Sequence, residues 1–181
     1  MRLISSNKGI AYADEHGSVI AELALTLPLL TILILGSIDM GVIVREHQLM
    51  QNAAREGARF SAQPANNFDT SVAGAGATAN AIRDRVVGYL AQENISVTVS
   101  ACAADGTVPK KWNCAMTSPS GGSITIWQQS PIPTIVSGAT ITEYGSAVTV
   151  TYPRALLFPG GPVLGFNSVD LTGNSVFRNL Y

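Results

Sequence analysis

The pattern of hydrophobic and polar positions divides the chain into one long apolar run followed by shorter periodic segments. The run covers residues 19–38, VIAELALTLPLLTILILGSI, and Glu22 is the one charged residue in it. A helix of this length spans about 30 Å, which matches the hydrocarbon core of a bilayer. The run exceeds the apolar core of a secretory signal peptide, and no Ala-x-Ala site follows it. The pattern therefore favours a retained transmembrane helix.

The helical pattern continues beyond the apolar run as far as Ala62, and Pro64 is expected to break it. A second helix is predicted after residues 69–71 (Asp-Thr-Ser), which are suitable capping residues. Its apolar positions recur every three to four residues, and Asn94 is its expected end.

The rest of the chain alternates with period two and predicts strands separated by loops. The predicted strands are Ile95–Ser100, Ser123–Trp127, Ala147–Tyr152 and Val169–Val176, and the predicted loops are 101–122, 128–143 and 153–167. The expected fold class is therefore α+β, with a long N-terminal transmembrane helix, a second helix and a small antiparallel sheet.

Composition narrows the possible functions. Charged residues make up 13% of the chain and the net charge is −1, so no basic surface for nucleic acid is expected. The sequence contains no GxSxG, GxxxxGK[ST] or HExxH motif, and the two cysteines and two histidines lack the spacing of a zinc site. We therefore expect a protein that is not an enzyme and has no metal or cofactor.

Cys102 and Cys114 lie well after the apolar run. If this region lies outside the cytoplasm, a disulfide between the two cysteines is the expected state. Such a bond would stabilise the fold by about 3 kcal/mol in the chain-entropy model. Two buried free thiols are the alternative.

Glu22 has two interpretations. A carboxylate within a membrane helix costs about 2.5–3.5 kcal/mol on insertion scales. Glu22 lies close to the membrane interface, so it could extend to the headgroups or be protonated. Alternatively, Gly17 and Ser18 precede the apolar run in an arrangement that resembles a type IV prepilin leader. That resemblance implies a peptidase cut between Gly17 and Ser18, which leaves Glu22 as the fifth residue of the mature chain.

Such a cut would give Glu22 a partner. The new α-ammonium of Ser18 and the Glu22 carboxylate would both be poorly solvated in lipid, and pairing them would offset that desolvation. A pair formed between neighbouring chains would also fix the axial register of their helices. We treat this assembly role of Glu22 as a hypothesis.

Longer stretches of the sequence resemble the TadE-like family of the tight-adherence (Flp) pilus system. The matching segments are GSVIAELALTLPLL (17–30), LGSIDMG (35–41) and QNAAREGAR (51–59), with weaker likeness in VTVTYP (148–153) and SVFRN (175–179). The resemblance implies a single-pass pseudopilin with a pilin-like fold. Its implied partners are the prepilin peptidase, other pilins or pseudopilins, the inner-membrane assembly machinery and the lipid bilayer.

The segment that follows the membrane helix carries a stripe of small residues. Ala53, Ala54, Gly57 and Ala58 recur at helical spacing and permit close backbone approach, while Arg55 and Arg59 lie beside them. The stripe could form a contact between subunits. It could equally pack on the sheet of its own domain, with the arginines at a solvated edge.

These predictions combine into a domain organisation. The segments are a leader at 1–17, a transmembrane helix at 18–39, a helix extension at 40–62 and an exported head at 63–181. The head is expected in the periplasm or otherwise outside the cytoplasm, on a chain held in the inner membrane. Incorporation into the pilus is left open. A membrane-anchored adhesin or envelope binding module is the alternative function, and an accessory enzyme subunit is a third.

Overall fold

The computed structural model describes residues 13–63, 72–136, 139–156 and 168–179. Helix α1 runs from Ala13 to Ser61 and α2 from Val72 to Gln92, which confirms the two predicted helices. The proposed capping residues of α2 lie outside the described residues. Asn94 adopts a φ of 62°, a left-handed conformation that asparagine tolerates and that ends the helical path where the sequence predicted it.

The strands form one antiparallel sheet. They are β1 (Thr98–Val99), β2 (Ala103–Ala104), β3 (Lys111–Ser118), β4 (Ser123–Val136), β5 (Ala139–Ala155) and β6 (Ser168–Arg178). The order across the sheet is β1-β3-β4-β5-β6, with β2 also paired to β3. The α+β architecture expected from the sequence is therefore confirmed.

The two helices lie on the sheet and enclose a single core among the described residues. Helix α1 contacts β5 and β6, and α2 packs beside α1. The largest fully buried side chains come from α1, α2, β4 and β5: Met50, Ile82, Leu90, Ile124, Ile126, Val86, Val148 and Val150. The core therefore takes in only the C-terminal half of α1, and the N-terminal half extends beyond the head.

The predicted loop at 101–122 is wrong. It contains β2 and β3, and β3 pairs with β4 along residues 111–115. The signal is present in the sequence, because the buried side chains Trp112, Cys114 and Met116 occupy alternate positions. The flanking Gly, Ser and Pro residues favoured a loop, but they belong only to the turns on either side of the strand.

The predicted loop at 128–143 is also wrong. β4 continues to Val136 and β5 begins at Ala139, so this segment is most of a hairpin. Pro131 and Pro133 suggested a loop, but proline is compatible with a strand whose edge is free. The third predicted loop, 153–167, is shorter at its N-terminal end because β5 reaches Ala155. β6 begins at Ser168, and residues 157–167 lie outside the described residues.

Cys102 and Cys114 form the predicted disulfide, with Cα atoms 4.1 Å apart. Cys114 belongs to β3 and is fully buried, while Cys102 packs at the margin of the core. The bond connects the segment after β1 to the middle of the sheet. A disulfide in this position is typical of a domain that folds outside the reducing cytoplasm.

Candidate membrane anchor and its junction with the head

The N-terminal half of α1 is exposed on all sides. Its large aliphatic side chains from Val19 to Ile38 are between 37% and 80% exposed. The most apolar 18-residue window has a mean hydropathy of 2.3, and none of it is buried. The helix is long and apolar enough to cross a membrane, and we refer to residues 19–38 as the apolar half of α1.

Gly17, Ser18 and Glu22 all lie within α1. The helix begins at Ala13, so the predicted cleavage point between Gly17 and Ser18 falls inside its first turns. Glu22 is exposed and forms no ion pair with any residue that the structure describes. Ser18 and Glu22 are four residues apart, which places them on one face of the helix about one turn from each other.

The C-terminal half of α1 is built into the head. Ala53, Ala54 and Ala58 are fully buried in the core. A Cβ atom at Gly57 would lie 2.6 Å from Val86 Cγ2, so α2 approaches α1 closely at this glycine. Within this chain the small-residue stripe therefore packs α1 against its own domain. A role of the stripe in packing between subunits stays a prediction.

Arg55 and Arg59 lie beside the stripe and are exposed. The Nη1 atom of Arg55 lies 3.4 Å from Oδ1 of Asn52, a weak contact on the helix surface. The neighbouring Glu56 instead accepts from Arg85 of α2 at 2.6 Å, which connects the two helices. The two predicted arginines thus form the solvated edge of α1, whereas Glu56 contributes to helix packing.

The backbone of β6 approaches the backbone of α1 so closely at Gly173 that no residue with a side chain would fit there. A Cβ atom at Gly173 would lie 2.2 Å from the backbone carbonyl of Met50 and 2.6 Å from the nitrogen of Gln51. The side chain of Gln51 extends to the same strand, where Oε1 accepts from the Asn174 amide at 3.4 Å. Glycine at position 173 is required because backbone packs directly on backbone here.

An ion pair connects the sheet to α1 where the helix leaves the head toward its apolar half. Arg154 Nη1 donates to Glu46 Oε1 at 2.9 Å, and the two side chains are 25% and 13% exposed. The second carboxylate oxygen, Glu46 Oε2, is buried and has no hydrogen-bond partner among the described residues. Nearby, burial raises the pKa of Tyr152, and the Glu46 charge raises it further while Arg154 opposes the shift.

At the opposite end of the head, a buried polar cluster connects the interiors of β4 and β5 with the residue that follows β6. Ser146 donates to Asn179 Oδ1 at 2.8 Å, and Asn179 Nδ2 donates to the carbonyl of Gln128 at 3.0 Å. Ser146 is fully buried, and Gln128 and Asn179 are each 3% exposed. Sequence reasoning noted Asn179 only within the SVFRN segment and missed its structural role.

The disulfide-bridged loop carries a charged pair. Lys111 Nζ lies 3.1 Å from Asp105 Oδ2, and Thr107 donates a short hydrogen bond to Asp105 Oδ1. The Thr107 hydroxyl and then Lys111 lower the pKa of Asp105 to about 2. These contacts hold the β2–β3 connection together and were not predicted from the sequence.

These features define a class of protein: an α+β head carried on one long helix, half of which is apolar and exposed. Residues 17–59 match the family model of the TadE-like proteins, which confirms the predicted resemblance over that segment. The match covers both the apolar half of α1 and the small-residue stripe, and it connects the chain with the Tad pilus system. No curated protein and no solved structure matches the chain.

Proposed function

We propose that this chain is a membrane-anchored pseudopilin, or minor pilin, that is needed to assemble a tight-adherence pilus and has no catalytic role. The observation that carries the proposal is α1 itself. Its exposed apolar half contains one carboxylate, Glu22, near its start, and the same unbroken helix continues into the core of the head. The TadE-like match covers this helix from Gly17 to Arg59.

The helix supports a role for Glu22 in assembly. Cleavage before Ser18 would create an ammonium one turn from Glu22, and the apolar surroundings would strengthen the attraction between them. Because Glu22 is exposed in the single chain, its carboxylate is also available to the N-terminus of a neighbouring subunit. A pair between chains would align their helices and so favour one packing arrangement.

The head is proposed to lie outside the cytoplasm, on a chain held in the inner membrane of a cell with two membranes. The Cys102–Cys114 disulfide supports an oxidising compartment. The proposed partners are other pilins or pseudopilins, the prepilin peptidase and the inner-membrane assembly machinery.

The test is to express Glu22→Ala in cells that make the pilus. We expect the variant to insert in the membrane and fold, while surface pili fall to background because the register-setting charge is lost. Mass spectrometry of the wild-type protein should find Ser18 at the N-terminus, with 164 residues remaining when 17 are removed from 181.

Asp84→Asn is the matched control. Asp84 is an exposed carboxylate of the head, with a side chain that is 66% exposed, and its replacement should leave pilus assembly unchanged. Normal pili from Glu22→Ala cells would contradict the proposal. An intact N-terminus at Met1 would instead support a plain membrane-anchored binding module.

A further inference from the structure

A small pocket opens between α1 and the end of α2, close to the point where α1 leaves the head. It encloses about 200 Å³, and we call it the junction pocket. This volume is below the roughly 300–1,000 Å³ of a pocket for a drug-sized ligand, so the pocket suits a small polar group. Its lining includes Val42, Arg45, Glu46 and Leu49 from α1 and Glu93 and Ile95 from the segment that follows α2.

The junction pocket lies at the depth where lipid headgroups would surround α1. The apolar half ends at Ile38, and Val42 and Arg45 follow about 6 and 10 Å further along the helix. A headgroup layer is about 5–8 Å thick, because a bilayer of about 40–45 Å contains a hydrocarbon core of about 30 Å. The side chain of Arg45 also leans toward the N-terminal end of α1, which is the membrane end. The guanidinium of Arg45 is therefore within reach of phospholipid phosphates.

The pocket is continuous with the surface of α1 that would face lipid. Ile34, Ile38, Val42 and Arg45 recur every three to four residues, so they lie along one face of the helix. Ile34 and Ile38 are 52% and 51% exposed. A lipid whose headgroup enters the pocket can therefore lay its acyl chains along the same face.

The pocket contains one cation and one anion that form no ion pair with any described residue. Arg45 is exposed and Glu93 is partly buried. The described residues form five ion pairs, and neither Arg45 nor Glu93 belongs to any of them. The two side chains line the same pocket without pairing with each other. The pocket therefore offers a ligand both a positive and a negative group.

The third charged residue of the pocket is already paired. Glu46 accepts from Arg154, so its carboxylate does not neutralise Arg45. Arg154 reaches Glu46 from the sheet, whereas none of the described residues of β5 or β6 lines the pocket. The charges available to a ligand are therefore those of Arg45 and Glu93, beside the apolar side chains of Leu49 and Ile95.

These charges select the chemistry of the ligand. A phosphate accepts charge-assisted hydrogen bonds from an arginine, and an ammonium donates them to a carboxylate. A phosphoglycerol headgroup has the phosphate without the ammonium, so it would leave Glu93 beside an anion. A phosphocholine headgroup has no N–H to donate. A phosphoethanolamine headgroup has both groups and so complements Arg45 and Glu93.

We infer that the junction pocket binds the phosphoethanolamine headgroup of a membrane phospholipid, with the phosphate on Arg45 and the ammonium on Glu93. The inference rests on the membrane anchor of the proposed function and adds a specific lipid to it. A headgroup bound here places Arg45 at the level of the lipid phosphates. The contact thereby sets how deeply α1 enters the bilayer and how far the head stands from it.

The test measures lipid binding to the purified full-length protein by native mass spectrometry from detergent micelles. Palmitoyl-oleoyl phosphatidylethanolamine is compared with the phosphatidylglycerol that has the same acyl chains. We expect the first phosphatidylethanolamine molecule to bind about tenfold more tightly, because it alone donates to Glu93. Equal binding, or tighter binding of phosphatidylglycerol, would overturn the inference. Glu22→Ala should bind lipid as the wild type does, so this result is separable from a failure of pilus assembly.

Two variants assign the roles within the pocket. Arg45→Gln should weaken the binding of both lipids about tenfold, since both carry a phosphate. Glu93→Gln should weaken phosphatidylethanolamine alone and so remove the preference. Arg55→Gln serves as the control, because this exposed arginine lies ten residues, or about 15 Å, further from the membrane on the same helix. Wild-type affinity in Arg45→Gln, or a preference that persists in Glu93→Gln, would contradict the assignment.

Soluble phosphoethanolamine tests whether the ligand is a lipid. It lacks acyl chains, so it should not displace phosphatidylethanolamine at concentrations up to about 1 mM. Displacement in that range would show that the pocket binds a soluble phosphate compound instead, and would overturn the assignment to a lipid.

A second measurement places the protein in nanodiscs of either lipid. Because a ligand that binds only the folded state stabilises it, thermal unfolding of the head should occur about 3 °C higher in phosphatidylethanolamine. Near-ultraviolet circular dichroism follows the transition, and Glu93→Gln should remove the difference. Identical transitions of the wild type in the two lipids would count against the inference.

Discussion

The two halves of α1 belong to one unbroken helix and meet opposite surroundings. The apolar half presents large aliphatic side chains that remain exposed, such as Leu25 at 80%. The half inside the head presents alanines and a glycine that are fully enclosed, such as Ala54 and Gly57. Side-chain size separates the halves, because lipid accommodates bulky groups and close helix packing requires small ones.

The junction between the halves explains how one helix can serve both environments. The Glu46–Arg154 ion pair lies just after Ile43, which is only partly buried against the core, and the fully buried core residues of the helix begin about one turn later, at Met50. Packing of the helix against the head therefore increases along this segment of α1.

The largest expected effect comes from adding one methyl group where β6 packs on the buried half of α1, compared with one methyl group in the apolar half. Gly173→Ala places a Cβ atom 2.2 Å from the Met50 carbonyl, so β6 must move away from α1. We expect it to lower the free energy of unfolding by about 3 kcal/mol. Gly36→Ala is the control, because a Cβ there meets nothing within 4 Å.

Urea unfolding of the full chain in detergent micelles, followed by near-ultraviolet circular dichroism, measures both variants. Gly36→Ala should leave the transition of the head where it is in the wild type. Equal effects of the two substitutions would mean that the head does not depend on the close α1–β6 contact.

The next test removes the ion pair at the junction. Arg154→Ala leaves the Glu46 carboxylate, which is 13% exposed, without its cation. We expect a loss of about 2 kcal/mol in the free energy of unfolding, because a largely buried charge loses its partner. The double variant Glu46→Ala/Arg154→Ala should lose less than the sum of the two single variants, which a double-mutant cycle measures. If the losses of the two single variants added up to the loss of the double variant, the interaction between Glu46 and Arg154 would contribute nothing to stability.

The sequence predicted the helices better than the sheet. The apolar run and the three-to-four-residue spacing of α2 are strong periodic signals, and both helices formed as expected. β4 and β5 were predicted too short because Pro131, Pro133 and Gly145 are typical of loops. Only the pairing of the strands reveals that the two prolines face an unpaired edge, and pairing partners are not encoded locally.

The same limit applies to the candidate site. The small-residue stripe and Glu22 could be identified from spacing within one helix. Glu46–Arg154 and Ser146–Asn179 join residues that are 108 and 33 positions apart, so no local pattern indicates them. The contact of Gly173 with Met50 could not be predicted from the sequence either, since it depends on the placement of β6 across α1.

The smallest expected effect is on the pH dependence of the stability of the head. It contrasts the head, which contains charged pairs, with the apolar half of α1 and its uncharged neighbours. Hydrogen bonds from Thr107 and Lys111 lower the pKa of Asp105 from 3.8 to about 2. A lowered pKa in the folded state means that the ionised carboxylate stabilises the fold at pH values above 3.8. This contribution is lost as the pH falls from about 4 to about 2, because in this range the unfolded state binds a proton more readily than the folded state does.

Asp105→Asn should therefore flatten the fall in stability between pH 4 and pH 2, and urea unfolding in this window measures it. Thr107→Val removes the larger of the two causes and keeps the carboxylate. The pKa of Asp105 should then rise toward 3.8, so that less stability is gained on ionisation. The stability of Asp105→Asn could instead fall with pH as steeply as that of the wild type. The acid sensitivity of the head would then come from other carboxylates, and the contacts of Asp105 with Thr107 and Lys111 would not stabilise its ionised form in preference to its neutral form.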